Sequence, residues 1–151
     1  MMTADQILSR MMALCSRREY CRRDIEKKIV ALSQEVDAAK IIDRLCKEKF
    51  LDENRYSSAF VRDKSGLQGW GEAKIRYALH TKGVEKEAVE AALALLDEDS
   101  QVERLQKLLA LKAKSVKADD AEQLRTKLLR FALSRGFSYQ QAGNALKQLK
   151  L

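Results

Sequence analysis

Proline is absent from the 151 residues, and glycine occurs only six times. These two residues punctuate hairpins, bulges and loops, so a chain this poor in them is neither a many-stranded β fold nor a Pro/Gly-rich disordered segment. Long helices joined by short connections remain. Cysteine occurs three times, as Cys15, Cys21 and Cys46, an odd number with no Cys-x-x-Cys pair. That spacing argues against a disulfide framework and against a zinc site, and it fits reduced thiols in a cytoplasmic setting. The single histidine, His80, has no nucleophile motif to serve. It reads as a surface residue complementing the negative end of a helix. Long apolar runs are missing too. The longest strongly apolar stretch, Ala91 to Leu96, is far below the roughly 18 residues of a membrane helix. Thr3, Asp5 and Gln6 interrupt the start, so a secretory signal is not expected there. Acidic residues are the last absence, with none after Glu122.

The consequence of that last absence is a lopsided charge. The net charge is +7. Residues 1–51 hold 11 Lys/Arg against 8 Asp/Glu, residues 52–99 hold 7 against 10, and residues 100–151 hold 11 against 4. A basic face attracts nucleic acid or an acidic protein surface.

Apolar residues recur at helical spacing along nearly the whole chain. Nine stripes are visible, among them Ile7–Met11–Cys15, Ile25–Ile29, Ile41–Ile42–Leu45, Val89–Ala92–Leu93, Leu105–Leu108–Leu109, Leu124–Leu128–Phe131 and Ala142–Ala145–Leu146. Thr3-x-x-Gln6, Ser100-x-x-Glu103 and Ser138-x-x-Gln141 read as capping boxes, and Asp52 as the cap of the fourth helix. Gly83 and Gly136, each preceded by a cation, read as left-handed residues that end helices. The run Lys82-Gly83-Val84 with Val89, Ala92 and Leu93 repeats 53 residues later as Arg135-Gly136-Phe137 with Ala142, Ala145 and Leu146. Val36, Ile41 and Leu45 match the same pattern 48 residues earlier. The expectation is an all-α chain of three tandem three-helix repeats, at 1–51, 52–99 and 100–151, stacked into an elongated, curved array.

Catalytic chemistry is not expected. Adjacent acids such as Asp52-Glu53 and Asp119-Asp120 read as helix-start charges rather than metal ligands, and no cofactor site is expected. Gly66-Leu67-Gln68-Gly69-Trp70-Gly71 lacks the Gly-Lys-Ser/Thr ending of a phosphate-binding loop and follows a helix rather than a strand. It reads as a flexible connection with Trp70 packed between repeats, a nucleotide-phosphate role being the minor alternative. Basic residues gather on the second helix of each repeat: Arg22, Arg23, Lys27 and Lys28; then Lys74, Arg76 and Lys82; then Arg125, Lys127, Arg130 and Arg135, extended by Lys147 and Lys150. Three-helix units with such a helix are similar to helix-turn-helix readers. The plainer alternative is a solvated outer face, which Asp24 and Glu26 favour in the first repeat.

Two stretches carry a family resemblance. Ala13-Leu14-Cys15-Ser16-Arg17-Arg18-Glu19-Tyr20-Cys21-Arg22-Arg23-Asp24-Ile25 resembles the opening motif of RecX proteins. Leu51-Asp52-Glu53-Asn54-Arg55-Tyr56, with Ala59-Phe60-Val61-Arg62-Asp63-Lys64, is similar to the family's most characteristic segment, and Trp70-Gly71, Lys74-Ile75-Arg76, Leu79 and Lys82-Gly83-Val84 continue it in order. Glu72 stands where the family has proline, and Cys21 where it has a capping serine. The resemblance implies a helical protein that binds along the groove of the RecA–DNA filament, limits its growth, and inhibits strand exchange and ATP hydrolysis. A monomer acting in the cytoplasm, touching single- or double-stranded DNA by charge, is the expectation, with no membrane contact. Arg17, Arg18, Arg62 and Lys64 join the basic residues named above as candidate contacts. A stand-alone DNA- or RNA-binding protein and a helical adaptor without a nucleic-acid role are the alternatives.

Overall fold

The structure, a computed structural model, describes residues 1–149. Among these residues all regular structure is helical, in nine elements. They are α1 (Ala4–Arg17), α2 (Arg22–Leu32), α3 (Ala38–Lys47), α4 (Glu53–Gly66), α5 (Glu72–Thr81), α6 (Lys86–Leu93), α7 (Glu98–Ala113), α8 (Ala121–Ser134) and α9 (Tyr139–Lys147). The chain divides into two compact units. One comprises Met1–Ala59 and Leu79–Ala91, the other Phe60–Ala78 and the residues from Ala92 onward.

The first unit is built around α1, α2 and α3. Each presents an i, i+4 apolar face: Ile7, Met11 and Cys15; Ile25 and Ile29; Ile41, Ile42 and Leu45, with Leu51 closing the cluster. Burying one such side chain contributes about 1.5–3 kcal/mol, so these stripes hold the three helices together more firmly than any surface ion pair. Thr3 Oγ1 accepts the Gln6 N–H at 3.2 Å while Gln6 Oε1 accepts the Thr3 N–H at 2.9 Å, the reciprocal box expected at the start of α1. Asp52 Oδ1 accepts the Arg55 N–H at 3.0 Å and so caps α4. Cys21 holds the cap position of α2 but makes no side-chain capping bond, consistent with a thiol in place of a hydroxyl.

The second unit centres on α7, α8 and α9, through Leu105, Leu109, Leu128, Ala132, Ala142, Ala145 and Leu146, with Phe137 from the α8–α9 turn. Ser138 and Gln141 form the expected box at α9. Ser100 does not cap α7. The cap is Asp97, whose carboxylate accepts the Ser100 N–H at 3.0 Å, and Ser100 lies inside the first turn. Starting the helix earlier places Glu98 and Asp99 at its positive end, where carboxylates are stabilised.

Two helices end as the glycine pattern predicts. After α5, Gly83 has φ +76°, its N–H bonds to the His80 carbonyl at 2.9 Å and the Val84 N–H reaches Leu79 at 3.2 Å. After α8, Gly136 has φ +94°, its N–H bonds to Leu133 at 3.0 Å and the Phe137 N–H reaches Ala132 at 3.2 Å. Both are the paired bonds of a Schellman turn. A third turn of the same kind follows α3, where Lys49, a residue with a Cβ, takes φ +64°.

The Gly66–Gly71 stretch is not the flexible connection its composition implied. Leu67 N–H bonds to the Asp63 carbonyl at 2.8 Å and Trp70 N–H to that of Lys64 at 2.9 Å. Beyond it, Gly71 N–H donates to the Arg135 carbonyl at 2.7 Å and Ala73 N–H to Gly136 at 3.1 Å. The two backbones meet so closely that a Cβ on Gly71 would fall 2.5 Å from the Gly136 carbonyl carbon. Trp70 meets Phe60 edge-to-face at 6.4 Å, so its ring packs against the helix leading into the turn.

Candidate partner-binding surface

Of the residues that carry the sequence resemblance, those of the opening motif and of 51–56 and 82–84 lie inside the first unit and tie it together, whereas 60–64, Trp70-Gly71 and 74–76 belong to the second. Glu19, just after α1, receives the Arg55 Nε–H at 2.9 Å, and Arg55 also donates to the Phe50 carbonyl. Glu53 receives the Arg22 N–H at the start of α2, and burial pushes its carboxyl above the usual range. Tyr56 is buried, which pushes its hydroxyl up, next to Cys21 and Asp24. Asp24 lies 3.1 Å from Lys82 at the end of α5, while Arg23 donates to the Thr81 carbonyl. Burial alone would raise the Asp24 carboxyl, but the hydrogen bonds from Lys82 and Cys21 outweigh it and hold it below the usual range. The motif is thus a set of ties from α1 and α2 to α4 and α5.

Several candidate contacts are consumed by these and similar ties. Lys82 and Arg23 are anchored as described, Arg76 pairs with Glu72 at 3.2 Å, and Lys127 donates to the Lys117 carbonyl. Arg22 faces Asp43 at 3.9 Å, a long, exposed pair of little energetic weight. Arg18 lies over the Tyr20 ring at 4.3 Å. Lys27 is exposed on the outer face of α2, where with Arg23, Glu26, Val30, Ala31 and Gln34 it lines a shallow recess of about 560 Å³. Arg17, Arg62, Arg125 and Arg130 are exposed, and among the described residues no ion pair or hydrogen bond occupies their side chains. Arg130 and Lys127 line a second recess, of about 380 Å³, with Asp120, Glu122, Gln123 and Thr126, so that face of α8 begins acidic and ends basic. Lys150 lies outside the described residues.

A third group is drawn together by rings. Lys64 Nζ and Lys74 Nζ lie 4.8 and 4.5 Å from the Trp70 ring centroid. Arg135 Cζ and Lys112 Nζ lie 5.1 and 5.0 Å from that of Phe131. Arg135 also donates to the Gln68 carbonyl at 3.1 Å. Lys112 was not among the sequence candidates. Its signal would have been the pairing of a cation in α7 with an aromatic in α8, which spacing along one helix does not reveal.

Among the described residues no group of three or more His, Cys, Asp or Glu side chains is placed to hold a metal ion, and no helix is long and apolar enough to cross a membrane. His80 is exposed at the end of α5.

Residues 52–93 match the family model for the second three-helix domain of RecX, and residues 98–146 the model for the third. The chain belongs to the RecX family. It is 37% identical over 111 residues to the regulatory protein RecX of Clostridium botulinum (strain Eklund 17B / Type B), covering 72% of this chain and 51% of that one. It is 39% identical over 93 residues to that of Xanthomonas axonopodis pv. citri (strain 306), covering 61% and 57%. The chain thus spans little more than half the length of these curated relatives. The crystal structure of RecX from Lactobacillus salivarius superposes with a TM-score of 0.85 at 23% identity, over 97% of this chain and 96% of that one. A second RecX crystal structure gives 0.88 at 21%, over 96% and 73%. At these identities the superpositions speak for the fold, which is the all-helical RecX fold of three-helix domains.

Proposed function

We propose that the chain is a regulator of recombination that binds the RecA–DNA filament and restrains its recombinase and ATPase activities, by binding and not by catalysis. Family membership supports a regulatory role, since the relatives it matches are named regulatory proteins, and the RecA filament as partner is what the sequence resemblance implies. The observation that carries the reading is the distribution of cations. Arg55, Arg23 and Lys82 of the family-like stretch are tied internally, whereas Arg62 of α4 and Arg125 and Arg130 of α8 stand exposed with, among the described residues, no ion pair. Residues 100–151 hold 11 cations against 4 acids. Such a surface meets phosphate and acidic protein side chains through a field that salt screens over about 8 Å at physiological ionic strength. The direct test is co-sedimentation with RecA on single-stranded DNA carrying a non-hydrolysed ATP analogue, against free RecA. Preference for the filament is the expected result, and equal, weak recovery with both would sink the reading.

A further inference from the structure

We infer that Lys64, Lys74, Lys112 and Arg135 form a binding site for the sugar-phosphate backbone of a nucleic acid strand. All four belong to the second unit, and all are half-buried. With their Nζ atoms 4.8 and 4.5 Å from one indole centroid, Lys64 and Lys74 hold their charges within about 10 Å of each other. Lys112 and Arg135 are gathered in the same way on Phe131, at 5.0 and 5.1 Å. Backbone contacts join the two pairs. Gly71 N–H bonds to the Arg135 carbonyl at 2.7 Å, and a Cβ on Gly136 would fall 2.5 Å from Lys74 Cβ, so Lys74 leaves α5 against the turn that carries Arg135.

Like charges held this close raise one another's energy, and a folded chain ordinarily interleaves carboxylates among them. Here none is in place. Among the described residues no carboxylate lies at ion-pair distance from any of the four, and the acid nearest in sequence on α5, Glu72, is engaged with Arg76 at 3.2 Å. The ring faces offset part of the repulsion, as cations over Trp and Phe do. What remains is a fixed positive field that an anion would neutralise. The hydrogen bond from Arg135 to the Gln68 carbonyl, 3.1 Å, holds the guanidinium in position beforehand. With two ammonium groups already over it, Trp70 offers no free platform for a base, so the contact is to phosphates and independent of sequence.

This site belongs to the filament-binding reading above, and naked oligonucleotide and filament are probed separately so that each can fail alone. The probe is fluorescein-labelled oligothymidylate, followed by anisotropy between 50 and 200 mM salt. The paired substitution Lys64→Met with Lys74→Met keeps the stems on Trp70 and removes two charges. Each phosphate contact on a single strand contributes about 0.7 to the log–log salt slope, so the slope should become shallower by about 1.4 and affinity should fall roughly 60-fold at 50 mM and about tenfold at 200 mM. Lys64→Arg with Lys74→Arg should keep the parent slope, and Lys27→Met with Lys28→Met, an equal charge loss on α2, should change it far less. If the Met pair loses helix content by circular dichroism, Lys112→Gln decides instead, with a slope shallower by about 0.7 expected. A parent that does not bind the oligonucleotide, an unchanged slope in the folded variants, or an equal loss in the α2 control would overturn the site. So would a variant that keeps oligonucleotide binding but leaves the filament, since the cluster would then face protein carboxylates. A parent that binds oligonucleotide but not the filament supports the site and sinks the filament reading.

Discussion

Replacing Gly136 by alanine tests a close backbone approach in the second unit. Gly136 has φ +94°, where a side chain costs about 1–2 kcal/mol. Its new Cβ would also fall 2.5 Å from the backbone nitrogen and Cβ of Lys74 and 3.0 Å from the Gly71 carbonyl oxygen, none of which is the loose end of a flexible chain. Relief requires the α4–α5 turn to withdraw, which breaks the Gly71–Arg135 and Ala73–Gly136 hydrogen bonds of 2.7 and 3.1 Å, worth about 1 kcal/mol each. The expected loss is roughly 3–4 kcal/mol. Gly83→Ala shares the backbone strain, at φ +76°, but its Cβ meets the Arg23 guanidinium at 2.8 Å, which can swing aside, so about 1–2 kcal/mol is expected. Gly143, inside α9, has open space for a Cβ, with no atom within 4 Å of where it would stand, and Gly143→Ala should gain about 0.5–1 kcal/mol. Urea unfolding followed by circular dichroism ranks the three. With a slope of about 1–3 kcal/mol/M, the Gly136 midpoint should drop by about 1 M or more. A Gly136→Ala protein no less stable than Gly83→Ala would refute the close approach.

Lys49→Gly should stabilise the first unit by about 0.5–1 kcal/mol, because Lys49 holds φ +64° in a turn that glycine occupies without strain; an unchanged or lower urea midpoint contradicts this. Asp24 has its folded-state carboxyl lowered, so its contribution is present above the unfolded value near 3.9 and is lost as pH falls through the folded value. Asp24→Asn should remove that part of the acid destabilisation, at most about 1 kcal/mol for a pair with side chains 40% and 23% exposed, and identical acid titrations of parent and variant would speak against the Lys82 tie. Reversing Arg125, Lys127 and Arg130 to glutamate should weaken filament binding and flatten its salt dependence without changing helix content; binding like the parent would reduce the α8 face to a solvated surface.

Periodicity made the helices legible, since burial of Ile7, Met11 and Cys15 or of Leu105 and Leu109 is written in i, i+4 spacing. The Gly83 and Gly136 turns were legible for the same local reason, a glycine behind a cation. Lys49 was not, because a left-handed residue with a Cβ leaves no mark in the sequence. The choice of Asp97 over Ser100 as cap turned on which of two good capping residues also put Glu98 and Asp99 at the helix start. Contacts between distant segments were the least legible. Glu19 and Arg55 are 36 residues apart, and their pairing makes this part of the family-like stretch an internal tie of the first unit. The glycine-rich stretch looked loose because its partners, Arg135 and Gly136, lie more than sixty residues away. Lys112 entered the cation cluster only once α7 and α8 were packed together.

ATP hydrolysis by RecA on single-stranded DNA, titrated with the purified chain, tests the regulatory claim most directly. The account predicts that hydrolysis falls as the chain is added, and that raising salt through the range where its cations are screened relieves the effect. Hydrolysis unchanged up to stoichiometric chain, with RecA still on the DNA, would contradict it.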